Sequence, residues 1–285
     1  MGRTIRVLAP LLLAALPGVA AAQTTSLTPS TGWQSEGDGN RCRVSRVFGE
    51  GDARHILMLE RFSPDDEVHV TLAGPTIAEF TGETRAQFDL ASASARVWVT
   101  PLAGDVPGFG PGLKLSGISP GANADRPSSA SGTVTLAQRG ERLHLATGAL
   151  DEALATLDTC AQALAASWGL DMARLSSAAS GPQWLNRRTV HRSIANSFAE
   201  HWRWYSPADG IAHLRVIVNE AGQPEDCTVV YATDGAVSND RACRIMQQAR
   251  FEPALDRDGK PVRAYYTASF KDRRRGAVGG IAIGD

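Results

Sequence analysis

The feature that most constrains this chain is a change of hydrophobic period just before residue 150. From Arg41 to about Leu145 apolar residues recur at every second position. Cys42 and Val44, Val68, Val70 and Leu72, and Val134 and Leu136 alternate with polar residues, and Ile56 and Met58, and Val97 and Val99, recur at the same spacing. Successive side chains on a strand point to opposite faces, so this pattern predicts half-buried strands. The turn clusters Gly49-Glu50-Gly51-Asp52, Ser63-Pro64-Asp65-Asp66 and Gly74-Pro75 separate them. Several short strands at this spacing predict an antiparallel sandwich or barrel-like sheet. Pro101 to Ser131 is rich in Gly, Pro, Ser and Ala, and reads as a long loop with one short strand near Leu113 to Leu115. The period then shifts. Leu150, Leu154, Leu157, Ala161, Leu164 and Trp168 recur every three or four residues, the apolar stripe of an amphipathic helix. Gly169 suits its left-handed C-cap.

The chain starts with Arg3 and Arg6, then an apolar run from Val7 to Ala22 that ends in three alanines before Gln23. The run is broken by Pro10 and Pro17 and is shorter than the roughly 20 residues a spanning helix needs. It therefore predicts a cleaved export signal over residues 1–22 and a mature start near Gln23. A net charge of −1 gives no reason to expect a nucleic-acid partner. The cysteines are Cys42, Cys160, Cys227 and Cys243, an even set in an exported chain, which favours disulfides. Three pairings exist. The favoured one, Cys42–Cys160 with Cys227–Cys243, keeps each bridge inside one predicted domain; the alternative is free buried thiols.

Residues 173–188 are rich in Ser, Ala and Gly and predict a linker. Beyond it, Val190, Ile194, Phe198 and Trp202 form a second helical stripe. A strand follows from Ile211 to Asn219, a turn around Glu220 to Pro224, and a second strand from Asp226 to Ala232. Asp234-Gly235 makes a loop, and Ser238 is the expected N-cap of a helix over 239–249. The last strand is Val262 to Phe270, giving the order α-β-β-α-β.

This unit resembles the TonB C-terminal domain family. Val218-Asn219-Glu220-Ala221-Gly222 is similar to the family's V-D-x-x-G hairpin. Arg250-Phe251-Glu252-Pro253-Ala254 is similar to R-F-x-P-A, and Gly259-Lys260-Pro261-Val262 to G-x-P-V. Thr233-Asp234-Gly235 stands where the family has Ser-Ser-Gly, and Asn239-Asp240 where it has Leu-Asp. Cys227 and Cys243 fit the cysteine-bearing variant of the family. The resemblance implies a periplasmic location in a Gram-negative bacterium and a last strand at a sheet edge that accepts an extended peptide. The family's membrane anchor and long Pro-rich spacer have no counterpart in the reading above; a β-rich domain stands in their place.

Enzymatic and metal signatures are weak. Gly117-Ile118-Ser119-Pro120-Gly121 matches G-x-S-x-G, but that motif needs a helix directly after the serine, and Pro120-Gly121 does not start one. Gly108 to Gly112 opens no helix and reads as a turn rather than a phosphate loop. The six histidines form no HxH or HxxxH pair. His191, with Glu200 or His201, reads as a solvated helix face. Trp202, Trp204 and Tyr205 read as core packing, or alternatively as a hydrophobic ligand shelf. Lys271 to Arg275 reads as a solvated basic end.

The expected organisation is therefore α+β. An antiparallel β-rich domain with one amphipathic helix (23–172) precedes a small TonB C-terminal-like domain (189–273) and a flexible tail (274–285). The expected function is non-enzymatic, with no catalytic residue, metal or cofactor. It is an interaction module tied to outer-membrane transport, binding an envelope protein or receptor peptide by strand addition. A second copy of the chain is the other candidate partner. Arg263, Tyr265, Thr267 and Ser269 are the side chains expected to face such a partner. The competing readings are a membrane-anchored energy transducer with an uncleaved N-terminus, and an envelope enzyme acting through the N-terminal domain.

Overall fold

The computed structural model describes residues 23–82, 84–90, 97–119, 132–205, 210–232 and 239–272. The expected export signal, the loop and N-cap at 233–238, and the tail lie outside the described residues. The first part of the chain carries strands β1 (Thr24–Leu27), β2 (Gln34–Gly37), β3 (Cys42–Phe48), β4 (His55–Arg61), β5 (Val68–Ala73), β6 (Ala86–Asp89), β7 (Val97–Val99), β8 (Leu102–Val106), β9 (Gly110–Ile118), β10 (Thr133–Gln138) and β11 (Glu141–Ala146). They form a five-stranded sheet, β1-β11-β10-β6-β7, and a six-stranded sheet, β2-β3-β4-β5-β9-β8. Every pairing is antiparallel except β1 with β11.

One core is shared by both sheets and by helix α1 (Asp151–Ser167). Leu57, Leu59, Val68, Val70, Leu72, Leu113 and Leu115 point inward from one sheet, and Phe88, Leu136, Leu143 and Leu145 from the other. Helix α1 presents Ala153, Leu157, Ala161 and Leu164, as its period requires, and Gly169 beyond its end takes φ 70°. Cys160 on α1 is bonded to Cys42 on β3. The stretch expected as a loop after Pro101 is instead a hairpin of β8 and β9 as far as Ile118. Its glycines and prolines gather at the turn and the outward positions, while Leu113 and Leu115 stay inward, so composition concealed the strand. Strands β10 and β11 meet through the two-residue turn Arg139-Gly140, with φ of 53° and 98°. Positive φ at both positions is what a tight hairpin's twist demands.

A short helix, α2 (Met172–Leu175), and strand β12 (Gln183–Trp184) lead into helix α3 (Arg187–Tyr205). Then come β13 (Gly210–Val218), β14 (Pro224–Ala232), helix α4 (Asn239–Met246), and short strands β15 (Phe251–Glu252), β16 (Ala254–Leu255) and β17 (Pro261–Val262). Strand β18 (Ala264–Asp272) closes the chain's described part. The fold is α+β. Strands β14-β13-β18 form a three-stranded antiparallel sheet. One face, through Ala212, Leu214, Val216, Ala268 and Phe270, packs on Val190 and Ile194 of α3 and Ala242 and Met246 of α4. Cys227 on β14 is bonded to Cys243 on α4.

The other face of this sheet lies on the outer face of the six-stranded sheet. Phe62 and Leu102 from the first part cluster with Ile211, Val230 and Tyr231. Phe62 stacks on His213 at 5.0 Å, and His69 meets His213 edge-on at 4.3 Å. Beneath them, Glu60 accepts from Lys114 Nζ at 2.7 Å and from Arg43 at 2.9 Å, with both Glu60 and Lys114 fully buried. The Lys114 ammonium sits 3.9 Å from the centre of the Tyr231 ring. Buried charges persist only when paired and hydrogen-bonded, and here the pairing sits under a second sheet.

Candidate functional site

The site is built around the free edge of β18. That strand pairs with β13 along its whole length, Ala264 opposite Val218 through Asp272 opposite Gly210. Among the described residues no strand pairs with its other edge. Such an edge presents a row of unpaired N–H and C=O groups, a template for another chain.

Two backbone motifs fix where this edge lies. The β13–β14 turn is closed by Asn219, whose Oδ1 accepts from the N–H of Ala221 and of Gln223. Gly222 in that turn has φ 75°, and a Cβ there would stand 2.0 Å from the Phe251 carbonyl oxygen. The Phe251 N–H donates to the Gly222 carbonyl at 3.0 Å. Phe251 then fills the core beside Trp184 and Tyr266. The hairpin glycine and the Arg250-Phe251 segment are thus one clasp, which is why the two motifs occur in one sequence.

A cleft of about 440 Å³ opens beside β18. Four consecutive residues of the strand, Ala264 to Thr267, line it. Side chains of consecutive strand residues alternate between faces, so a cleft touching all four runs along the edge and not over one face. Its opposite walls are Pro64 and Asp65 from the loop after β4, Gln162 from α1, and the segment from Met172 to Pro182. Past Thr267 the His191 ring on α3 hydrogen-bonds the backbone of Ser269. His191 also stacks near Phe270 at 4.6 Å, and burial lowers its pKa. His191 is therefore half-buried at the edge of the helix face read from its spacing, and the side chains of Glu200 and His201 lie outside the described residues.

Residues 207–271 match the family model of the Gram-negative bacterial TonB protein C-terminal. The match spans the β13–β14 hairpin, α4 and β18, and leaves α3 and everything before it outside. No curated protein and no solved structure matches the chain. The TonB C-terminal family is a non-enzymatic module for interaction and energy transduction in the cell envelope, and its members contact outer-membrane receptors and other envelope proteins.

Of the four side chains expected to face a partner, Tyr265, Thr267 and Ser269 lie on the face of β18 turned toward the six-stranded sheet, Arg263 stands just ahead of the strand, and each has a partner within the chain. Arg263, just before the strand, donates to Glu225 at 2.7 Å and to the carbonyls of Trp168 and Gly169 at 3.1 and 2.9 Å. Tyr265 packs edge-on against Trp168 at 5.8 Å, and burial, then the charges of Asp65 and Asp66, push its phenol well above the usual range. Thr267 reaches Asp65 at 3.4 Å, and Ser269 meets His213 at 2.7 Å. The sequence reading missed Trp168, Asp65 and Gln162. They come from distant elements, and only the docking of the two sheets brings them beside β18. The Gly108 region is the β8–β9 turn, and Ser119 directly follows β9. The side chains of Trp202, Trp204 and Tyr205 and of Lys271, and all of 273–275, lie outside the described residues.

Proposed function

We propose that this chain is a periplasmic interaction protein whose TonB-like unit (189–273) captures an extended peptide from an envelope partner on the Ala264–Thr267 edge of β18. The β-rich unit (23–172) and the linker (173–188) supply the other walls of the cleft. The observation that carries the reading is the cleft itself, open along an unpaired strand edge in the segment that matches the TonB family. Backbone hydrogen bonds to the edge would give affinity, and the cleft walls would select side chains. Four residues of β18 span on the order of 13 Å at the usual strand rise, room for a short stretch of guest strand. No helix among the described residues is long and apolar enough to cross a membrane.

A photocrosslinker at Gln162, exposed and on the cleft wall, tests this in living cells. An envelope protein should be captured from Gln162 and not from a control at exposed Leu185. The captured segment, made as a peptide, should lose binding when one central amide is N-methylated, since that deletes a backbone donor. Capture from both positions alike, or binding indifferent to N-methylation, would refute strand addition.

A further inference from the structure

We propose that the cleft selects a guest strand carrying one cationic side chain, a lysine or arginine, and that Asp65 of the β-rich unit makes this selection. The inference rests on the strand-addition reading and deepens it. A strand added to β18 sets its outward side chains on the same face as Tyr265 and Thr267, with directly opposite Cβ atoms roughly 5 Å apart. Asp65 stands at this point: its carboxylate lies 3.4 Å from the Thr267 hydroxyl and lines the cleft. Among the described residues it is the one charged residue in the lining.

The carboxylate is held by neutral donors. Its Oδ2 accepts from the Ser63 hydroxyl at 2.6 Å and its Oδ1 from the Glu67 N–H at 3.1 Å. Among the described residues it makes no ion pair. Arg61 acts on it only through its charge, its ion pair being with Asp158, and Arg263 is engaged by Glu225 and the end of α1. Asp66, exposed next to it, adds a second negative charge felt at Tyr265. Burial pushes the Asp65 carboxyl upward in pKa despite its three hydrogen bonds. A partly desolvated anion that makes no direct ion pair gains from a cation more than a solvated one does. The arrangement comes from outside the TonB-like segment, so it is a preference the β-rich unit confers on an otherwise sequence-tolerant edge.

The test uses the full chain and fluorescein-labelled peptides alternating threonine and valine, identical except for one position that carries lysine, alanine or glutamate, scanned along the peptide. Anisotropy is expected to rank lysine over alanine by about tenfold at one register, as befits a charge-assisted hydrogen bond, with glutamate weakest. Asp65→Asn keeps the turn's acceptor and removes the charge. It should erase the ranking, bringing the lysine, alanine and glutamate peptides to one common affinity. Peptides that bind with no charge ranking, or a ranking that survives in Asp65→Asn, overturn the inference and leave strand addition standing. Failure of every peptide to bind overturns both.

Discussion

The Glu60–Lys114 pair offers the sharpest test of what stabilises the covered face of the six-stranded sheet. Burial raises the Glu60 pKa, but Lys114 and then Arg43 overcome that effect and hold the carboxyl at about 2. Relative to an ordinary carboxyl at 4.5, this corresponds to about 3 kcal/mol of native-state preference for the ionised form. Substituting Glu60→Gln leaves the Lys114 ammonium, whose side chain is 1% exposed, without an anion. Breaking a buried pair in this way costs about 3–5 kcal/mol. With a urea slope of about 2–3 kcal/mol per molar, the midpoint should fall by about 1–2 M. The assay is urea unfolding followed by tryptophan fluorescence with the disulfides kept oxidised. The double variant Glu60→Gln/Lys114→Met should recover more than 1 kcal/mol over the sum of the single changes, the signature of direct coupling. The pH profile has a defined sign. A depressed carboxyl contributes stability that is present above pH 4.5 and is lost as pH falls toward 2, so the wild type should lose stability through that window and Glu60→Gln should show a shallower slope there. A Glu60→Gln midpoint unchanged within error, or a double variant that is merely additive, would refute the assignment.

Two further outcomes follow from the fold. Gly222→Ala must adopt positive φ and move a Cβ away from the Phe251 carbonyl, so it should destabilise the chain by about 2 kcal/mol or more in the same unfolding assay; a neutral effect would mean the clasp is not needed. Non-reducing mass mapping of periplasmic material should find Cys227 linked to Cys243, Cys42 linked to Cys160, and an N-terminal peptide starting near Gln23. The shorter bridge is worth about 3 kcal/mol in the chain-entropy model, and free thiols or a retained residue 1–22 segment would contradict the respective proposals.

How much of this could be seen in the sequence depended on how local each constraint is. Helix α1 and the order of elements after Arg187 were legible because 3.6-residue and two-residue periods report an element's buried face directly. The β8–β9 hairpin was not, because its glycines and prolines are the residues that usually mark a loop, and only Leu113 and Leu115 report its strand. The docking of the sheets left no local signal. Glu60, His69 and Lys114 fall on the polar side of alternating strands, which identifies the face turned from their own core but not what covers it. The candidate site divides the same way: Tyr265 and Thr267 follow from alternation along one strand, whereas Asp65 and Gln162 reach the cleft only through long-range packing.

The clamp of Arg263 on the end of α1 has a mechanical consequence. A peptide paired along β18 would be loaded in shear, with its hydrogen bonds sharing the pull in parallel. Tension would enter the strand beside Arg263, pass to the carbonyls of Trp168 and Gly169, run up α1 to Cys160, and cross a covalent bond to Cys42 in the six-stranded sheet. On the other flank the Cys227–Cys243 bond ties β14 to α4. The grip on a guest would then give way before the body holding it does.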